Sequence, residues 1–144
     1  MTDETSVEQT PYEYFGGKPF FESLVEAFYA RVANDPVLRP MYPPGDLTQA
    51  RRRLTMFLEQ YWGGPGTYSE ERGHPRLRIR HAGFAIDSGA RDRWLAHMYE
   101  AIVEQDMAPE AERLLWRYLV GAAIGMQNIQ DDAPPAGAID VTEV

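Results

Sequence analysis

One histidine stands at the end of a short basic segment in a chain that is otherwise acidic. His81 closes a stretch that begins at His74 and contains three arginines. On a helix, Leu77 would lie one turn before His81 on the same face, which gives the imidazole an apolar neighbour and a cationic surround. This combination suits a flat, apolar ligand with a metal centre and an anionic edge, as haem is. A lone histidine near a helix end is more often an ordinary solvated or hydrogen-bonded side chain, so the rest of the chain must decide.

The sequence lacks the residues that most other metal sites and catalytic mechanisms need. The chain has no cysteine, which excludes disulfides, iron–sulfur clusters and thiolate catalysis. His74 and His81 are seven residues apart with Pro75 between them, and no further ligands follow at zinc spacing. The sequence also has no phosphate-binding glycine loop that leads into a helix, and no dinucleotide fingerprint. Positive signs of acid–base or nucleophilic catalysis are absent from the sequence.

Composition and charge narrow the class of protein. At 144 residues the chain is long enough for one domain with a substantial core. A formal net charge of −8 argues against a nucleic-acid partner, because phosphates would be repelled. No apolar run approaches the length of a membrane span, and the acidic first residues hold no signal region. The expectation is a soluble cytoplasmic protein with no membrane and no nucleic-acid partner.

Hydrophobic periodicity predicts an all-α domain. Apolar residues recur at helical spacing over about 18–33, 47–62, 89–106 and 109–129. A short helical turn is expected at 12–15 and a loop at 68–73, with Asp46 as one N-cap and either Asp87 or Ser88 as another. Residues 1–10 are expected to form a flexible extension and residues 131–144 a disordered acidic tail, which leaves a domain at 11–130.

Four long helices leave two architectures open. The first is a four-helix bundle, and the second is a globin-like stack of crossed helices. The connections at 34–46 and 63–88 are long and irregular, whereas the loops of a simple bundle are short. The loop lengths therefore favour the globin-like stack.

Three polar aromatic residues occupy inward or corner positions. Tyr29 and Trp94 lie on the apolar faces of their predicted helices, and Tyr42 follows Met41 at a corner. A buried tyrosine hydroxyl or tryptophan N–H needs a hydrogen-bond partner. Each residue alone fits an ordinary core position bonded to a carbonyl. All three at one cavity would instead form an array of donors over a small diatomic ligand.

Several runs of residues, taken in order and at their spacing, resemble one known family. They are Phe28–Ala33 (FYARVA), Asp35-Pro36, Leu38–Pro43 (LRPMYP), Met56–Pro65 (MFLEQYWGGP), Tyr68–Glu70 (YSE), Arg72–Arg78 (RGHPRLR) and Arg80–Ala82 (RHA) followed by Phe84. Together they resemble the truncated haemoglobins, and more narrowly the second group in the form found in actinobacteria. The resemblance extends from about Tyr12 to Gln130.

The resemblance implies a globin-like, truncated two-over-two α-helical sandwich around haem b. His81 matches the proximal histidine that ligates the iron. Tyr29, Tyr42 and Trp94 match residues of the distal, ligand-binding pocket. Ala50 stands where many globins have a distal histidine or glutamine. The positions that match haem-binding residues are Ala50, Arg53, Leu54, Phe57, Tyr68, Leu77, Arg80, Phe84, Met98, Leu119 and Met126, with Arg53 and Arg80 able to reach the propionates.

The same pocket would serve two classes of function. The first is binding of O₂, CO or NO at a five-coordinate iron, with slow O₂ release because tyrosine and tryptophan donate hydrogen bonds. The second is a haem redox enzyme, either an NO dioxygenase or a peroxidase-like catalyst, which would need a reductase or another electron donor. A third interpretation without haem is an all-α interaction module. A homodimer stays open, although no pattern in the sequence supports it.

Overall fold

The fold is all-α, as the sequence predicts. A computed structural model of the chain describes residues 9–74, 76, 81 and 86–128, and the predicted terminal extensions lie almost entirely outside this part. The described helices are α1 (Pro11–Phe15), α2 (Gly17–Val32), α3 (Thr48–Tyr61), α4 (Thr67–Arg72), α5 (Ser88–Glu104) and α6 (Pro109–Met126), with a 3₁₀ turn at Arg39–Met41. The four long helices agree with the predicted ranges to within three residues at each end.

Helix α2 is the centre of the packing. It packs against both α3 and α5, and α5 packs in turn against α6. The buried residues of α2 recur at the helical spacing that the sequence shows. They are Phe21, Leu24, Val25, Phe28, Tyr29 and Val32. Among the described residues, no helix is long and apolar enough to cross a membrane.

A short first helix is fastened to the end of α3. The Tyr12 amide donates to the Trp62 carbonyl at 2.8 Å, and the Tyr12 ring lies directly over Gly64. A Cβ on Gly64 would lie 2.6 Å from that ring, so only glycine permits the approach. Gly16, with φ of +126°, then turns the chain from α1 into α2. This closes one end of the helix stack.

Residues 67–72 form helix α4, where the sequence analysis expected a loop. The helix is too short for its periodicity to be recognised, and contacts with α3 hold it. The Gln60 side chain accepts a hydrogen bond from the Ser69 amide at 3.0 Å and donates to the Ser69 hydroxyl at 2.8 Å. Tyr68 is the buried residue of this helix. Distant contacts rather than local propensity therefore decide this segment.

Of the two predicted N-caps, the one at the start of α5 is found and the one at the start of α3 lies one residue later. Asp87 caps α5, because its carboxylate accepts from the Ala90 amide at 2.9 Å. At the start of α3 the capping position is taken by Leu47, one residue later than predicted. Asp46 still contributes, since its carboxylate accepts from the Thr48 amide at 3.1 Å.

Candidate functional site

A cavity of about 420 Å³ lies between the helices. Its walls come from α2, the corner after α2, α3, α4, His81, α5 and α6, and most of them are apolar. Eleven residues that the sequence analysis selected line it together: Tyr29, Tyr42, Ala50, Arg53, Leu54, Phe57, Tyr68, His81, Trp94, Leu119 and Met126.

Four further selected residues are placed elsewhere or are not described. Met98 is fully buried in the core and is not among the residues that line the cavity. It lies one turn of α5 after Trp94, on the buried face of that helix. Leu77, Arg80 and Phe84 fall outside the described residues.

Other residues complete the lining. They are Leu38, Met41, Pro43, Leu58, Arg72, Ile86, Ala90, Arg91, Tyr118, Ala122 and Ala123. The α6 residues in this set share the apolar stripe of Leu119 and Met126, so helical spacing could have found them. The corner residues adjoin Tyr42 in the chain. Arg72 opens one of the runs that resemble the family but was not selected as a site residue, and no pattern in the sequence marks Arg91.

Aromatic rings form a continuous wall on the side of the cavity formed by α2, the corner and α5. The Tyr29 ring contacts that of Tyr42 edge to face, with centroids 5.5 Å apart. Phe28 contacts Tyr29 at 4.9 Å and Trp94 at 5.1 Å. Phe28 is fully buried and faces the core, so it joins the two sides of this wall. These contacts fix the rings of Tyr42 and Trp94 relative to each other.

Both tyrosine hydroxyls in this wall stay protonated at neutral pH. Burial raises the pKa of Tyr29 well above its ordinary value, and the adjacent Tyr42 raises it further. Burial also raises the pKa of Tyr42, while a hydrogen bond from Tyr29 and the charge of Arg53 partly oppose this. A hydrogen bond joins the two hydroxyls. One hydroxyl proton of the pair makes this bond, and the other is left for another acceptor.

Trp94 brings a second donor to the cavity. Its indole lines the space, and no described residue accepts a hydrogen bond from the indole N–H. A partly buried donor of this kind is normally paired with a protein group, water or a ligand. The cavity therefore has one donor from the hydrogen-bonded tyrosine pair and one from Trp94 of α5.

His81 also lines the cavity, and a hydrogen bond to its backbone carbonyl holds it. The residue has helical conformation and is half-buried. Asn128, just after α6, donates from its side-chain amide to the His81 carbonyl at 3.3 Å. The same side chain accepts from the Ile86 amide at 2.8 Å, and the Asn128 amide donates to the Ile86 carbonyl at 2.9 Å. Asn128, which the sequence analysis did not select, thus links the end of α6 to the segment of His81.

The charge at the cavity is opposite to that of the whole chain. Arg53, Arg72 and Arg91 line it, and no aspartate or glutamate is among its described lining residues. Arg91 pairs with Asp92 at 3.1 Å, and Arg72 lies over the Tyr68 ring at 5.9 Å. Within the described part, Arg53 has no carboxylate partner, which leaves its charge available to an anionic ligand.

These features fit a haem. The cavity is mostly apolar, one imidazole lines it, and its arginines supply positive charge that suits a ligand with two carboxylates at its edge. Among the described residues, no group of three or more histidines, cysteines, aspartates or glutamates could hold a bare metal ion. A ligand that brings its own metal and needs one histidine from the protein suits this donor set.

Comparison with known proteins decides the family. The model of the bacterial-like globins matches residues 10–128. The group 2 truncated haemoglobin YjbI of Bacillus subtilis is 42% identical over 118 residues, which cover 82% of this chain and 88% of that protein. The chain belongs to the group II truncated haemoglobins. As a globin it binds haem and small gaseous ligands such as O₂.

Solved structures of truncated haemoglobins agree with this fold. A thermostable haemoglobin from the actinobacterium Thermobifida fusca is 54% identical, with a TM-score of 0.82 over 83% of this chain and 98% of that one. A truncated oxygen-avid haemoglobin from Bacillus subtilis is 41% identical, with a TM-score of 0.79 over 83% of this chain and all (100%) of that one. The predicted family, and with it the globin-like fold, is therefore confirmed.

Proposed function

We propose that this truncated haemoglobin holds haem b through His81 and binds O₂, CO or NO at a five-coordinate iron, with slow release of O₂. The observation that carries the proposal is the arrangement of two polar donors, Tyr42 and Trp94, at the same cavity as His81. In this proposal the imidazole holds the iron, and the two donors meet the small ligand that the iron binds.

The remaining cavity residues would hold the cofactor. Leu54, Phe57 and Leu119 supply apolar surface for the porphyrin, and burial of such surface contributes about 25 cal/mol per Å². Arg53, which lines the cavity, would bind a propionate through its guanidinium. When bound, haem supplies an iron with an open coordination position for a diatomic gas.

Slow release follows from the donors. O₂ takes up partial negative charge on binding, so the Tyr42 hydroxyl and the Trp94 N–H favour the bound ligand over the free one. Each such bond is worth about 1 kcal/mol in a cavity shielded from water, which corresponds to about a fivefold slower release. Tyr29 supports Tyr42 by donating to it. The Bacillus subtilis relative is oxygen-avid, which is consistent with this proposal.

The ligand assignment of His81 is tested by optical titration. Purified protein without cofactor is titrated with hemin, reduced, and its absorption spectrum recorded for wild type and His81→Ala. We expect a 1:1 complex with a five-coordinate ferrous spectrum in the wild type. The His81→Ala variant should lose this spectrum and bind hemin more weakly, and added imidazole should restore it in part. His74→Ala is the control and should behave as wild type.

Two results would contradict this assignment. A His81→Ala protein with the wild-type spectrum would show that another residue ligates the iron. A wild-type protein that takes up no hemin would remove the function altogether. The redox alternative is checked in the same preparation, because consumption of NO or peroxide beyond one turnover with a defined reductant would show catalysis.

A further inference from the structure

A buried carboxylate joins the two parts of the cavity wall that carry its donors. Asp35 lies just after α2, and its side chain is only 2% exposed. It accepts hydrogen bonds from the amides of Val37 and Leu38 at 2.7 and 3.0 Å. It also accepts from the Arg93 guanidinium at 3.1 Å, and His97 Nε2 lies 2.7 Å from its second oxygen. A carboxylate can only accept, so this His97 nitrogen carries a proton and donates.

The partners of Asp35 belong to two different elements. Val37 and Leu38 open the corner that leads through the 3₁₀ turn to Tyr42, and Leu38 itself lines the cavity. Arg93 and His97 are four residues apart, so they lie on one face of α5 in successive turns. Trp94 directly follows Arg93 in the chain. The carboxylate therefore ties the start of the corner to the turn of α5 that presents Trp94.

An ion pair elsewhere between the same helices has a different character. Arg31 of α2 bonds Glu100 of α5 at 2.9 Å and also contacts Glu104, and both glutamates are exposed. Exposed pairs of this kind constrain geometry little, because water competes for both partners. A buried carboxylate with four fixed donors is costly to desolvate, and its attested use is to impose one register on the elements it joins.

We propose that Asp35 is a positioning residue for gas binding. Through Arg93 and His97 it sets the place of the Trp94 N–H relative to the Tyr42 hydroxyl, so that both donors meet one small ligand. The proposal rests on the proposed function, because it concerns the same two donors. It assigns a role in the cavity to three residues that do not line it.

The test measures ligand release and a vibrational signature in the haem-loaded protein. Asp35→Asn keeps an oxygen for the two amides of the corner but loses the charge that holds Arg93 and His97. We expect O₂ release to be about three- to tenfold faster, as for the weakening of one hydrogen bond. The infrared C–O stretch of the CO complex should shift or split, because the donor no longer occupies a single position. In a Trp94→Phe background the same substitution should change the release rate by less than about twofold.

Controls and a second variant make the result decisive. Arg31→Gln removes the exposed pair between the same helices and should leave the release rate and the C–O band unchanged. His97→Leu leaves the corner intact and should act in the same direction as Asp35→Asn, so it replaces that variant should Asp35→Asn fail to fold. A wild-type rate and band in the folded variant would overturn the proposal, as would an equal effect with and without Trp94. A wild-type O₂ release rate in Trp94→Phe would contradict the donor role of Trp94 itself. A wild-type rate in Asp35→Asn together with a faster rate in Trp94→Phe would contradict only the positioning role of Asp35.

Discussion

At the scale of single residues, the polar aromatic side chains differ in whether they have a hydrogen-bond donor available for a ligand. Tyr29 is 5% exposed and shares a hydrogen bond with Tyr42, to which it donates in the proposed arrangement. Tyr42 and Trp94 keep a donor for the cavity. Since burial raises the pKa of both tyrosines, neither loses its proton near neutral pH. Ligand release is therefore expected to vary little with pH between about 6 and 9 as far as these groups are concerned.

Arg53 is predicted to hold the cofactor through its charge. Arg53→Gln should increase the rate of haem loss to an apomyoglobin scavenger by about two- to tenfold, because one charge-assisted hydrogen bond to a propionate is removed. The matched control is Arg52→Gln. Arg52 is the next residue along α3, does not line the cavity, and pairs with Glu71 at 2.6 Å. Equal rates of haem loss in the two variants would contradict a propionate contact of Arg53.

At the scale of elements, one side chain closes the junction between α6 and the segment of His81. Asn128→Ala removes the bonds to the Ile86 amide and the His81 carbonyl, so the histidine segment loses its link to α6. We expect faster haem loss and a free energy of unfolding lower by about 1–2 kcal/mol, measured by urea titration.

Gln60→Ala provides the matched control for that junction. The Gln60 amide also joins two elements, α3 and α4, through two bonds to Ser69, but Gln60 has no described bond to His81 and does not line the cavity. A similar loss of stability with unchanged haem retention is expected. Should Gln60→Ala release haem as fast as Asn128→Ala, the effect would be one of general stability rather than of the histidine segment.

The link between the corner and α5 gives a pH dependence of defined sign. Burial alone would raise the pKa of Asp35, but its hydrogen bonds outweigh this and hold the pKa well below its ordinary value. In the unfolded chain the group titrates near its ordinary pKa of about 4. Its contribution to stability is therefore complete above pH 5 and is lost as the pH falls toward the depressed folded pKa.

Urea unfolding of wild type and Asp35→Asn between pH 7 and 3 measures this contribution. At pH 7 the wild type should be more stable by about 2 kcal/mol, which is typical of hydrogen bonds to a charged group. This difference should shrink below about pH 4. A difference that stays constant, or grows toward acid, would contradict the depressed pKa of the Asp35 carboxyl.

At the scale of the whole molecule, charge is distributed unevenly. The chain carries a net charge of −8, yet the charged residues described at the cavity are all arginines. A net negative charge disfavours association with other polyanions, whereas local positive charge favours an anionic group. The arginines at the cavity therefore offer a local attraction for an anionic ligand edge that the overall composition does not.

Local patterns account for the helices and for part of the site. Helical periodicity predicts the inward positions of Tyr29, Leu54 and Leu119, because residues three or four apart share a face. The assignments of His81 and Trp94 came from the family resemblance and not from spacing. A lone histidine and a lone tryptophan fit ordinary positions equally well.

Long-range partners were beyond prediction from the sequence. Asp35 meets His97 62 residues further along the chain, and Asn128 meets Ile86 42 residues earlier. Such pairs depend on the packing of helices that local propensity does not report. Helix α4 was missed for the same reason, since its stability comes from α3.

The most direct test of the proposed gas binding is the O₂ dissociation rate of the haem-loaded protein by stopped flow. Trp94→Phe and Tyr42→Phe each remove one donor and keep most of the ring, so each should release O₂ about three- to tenfold faster, and the double variant faster still. Trp116→Phe is the control, because Trp116 contacts Tyr99 and does not line the cavity. Wild-type rates in both single variants and in the double variant would contradict slow release through Tyr42 and Trp94.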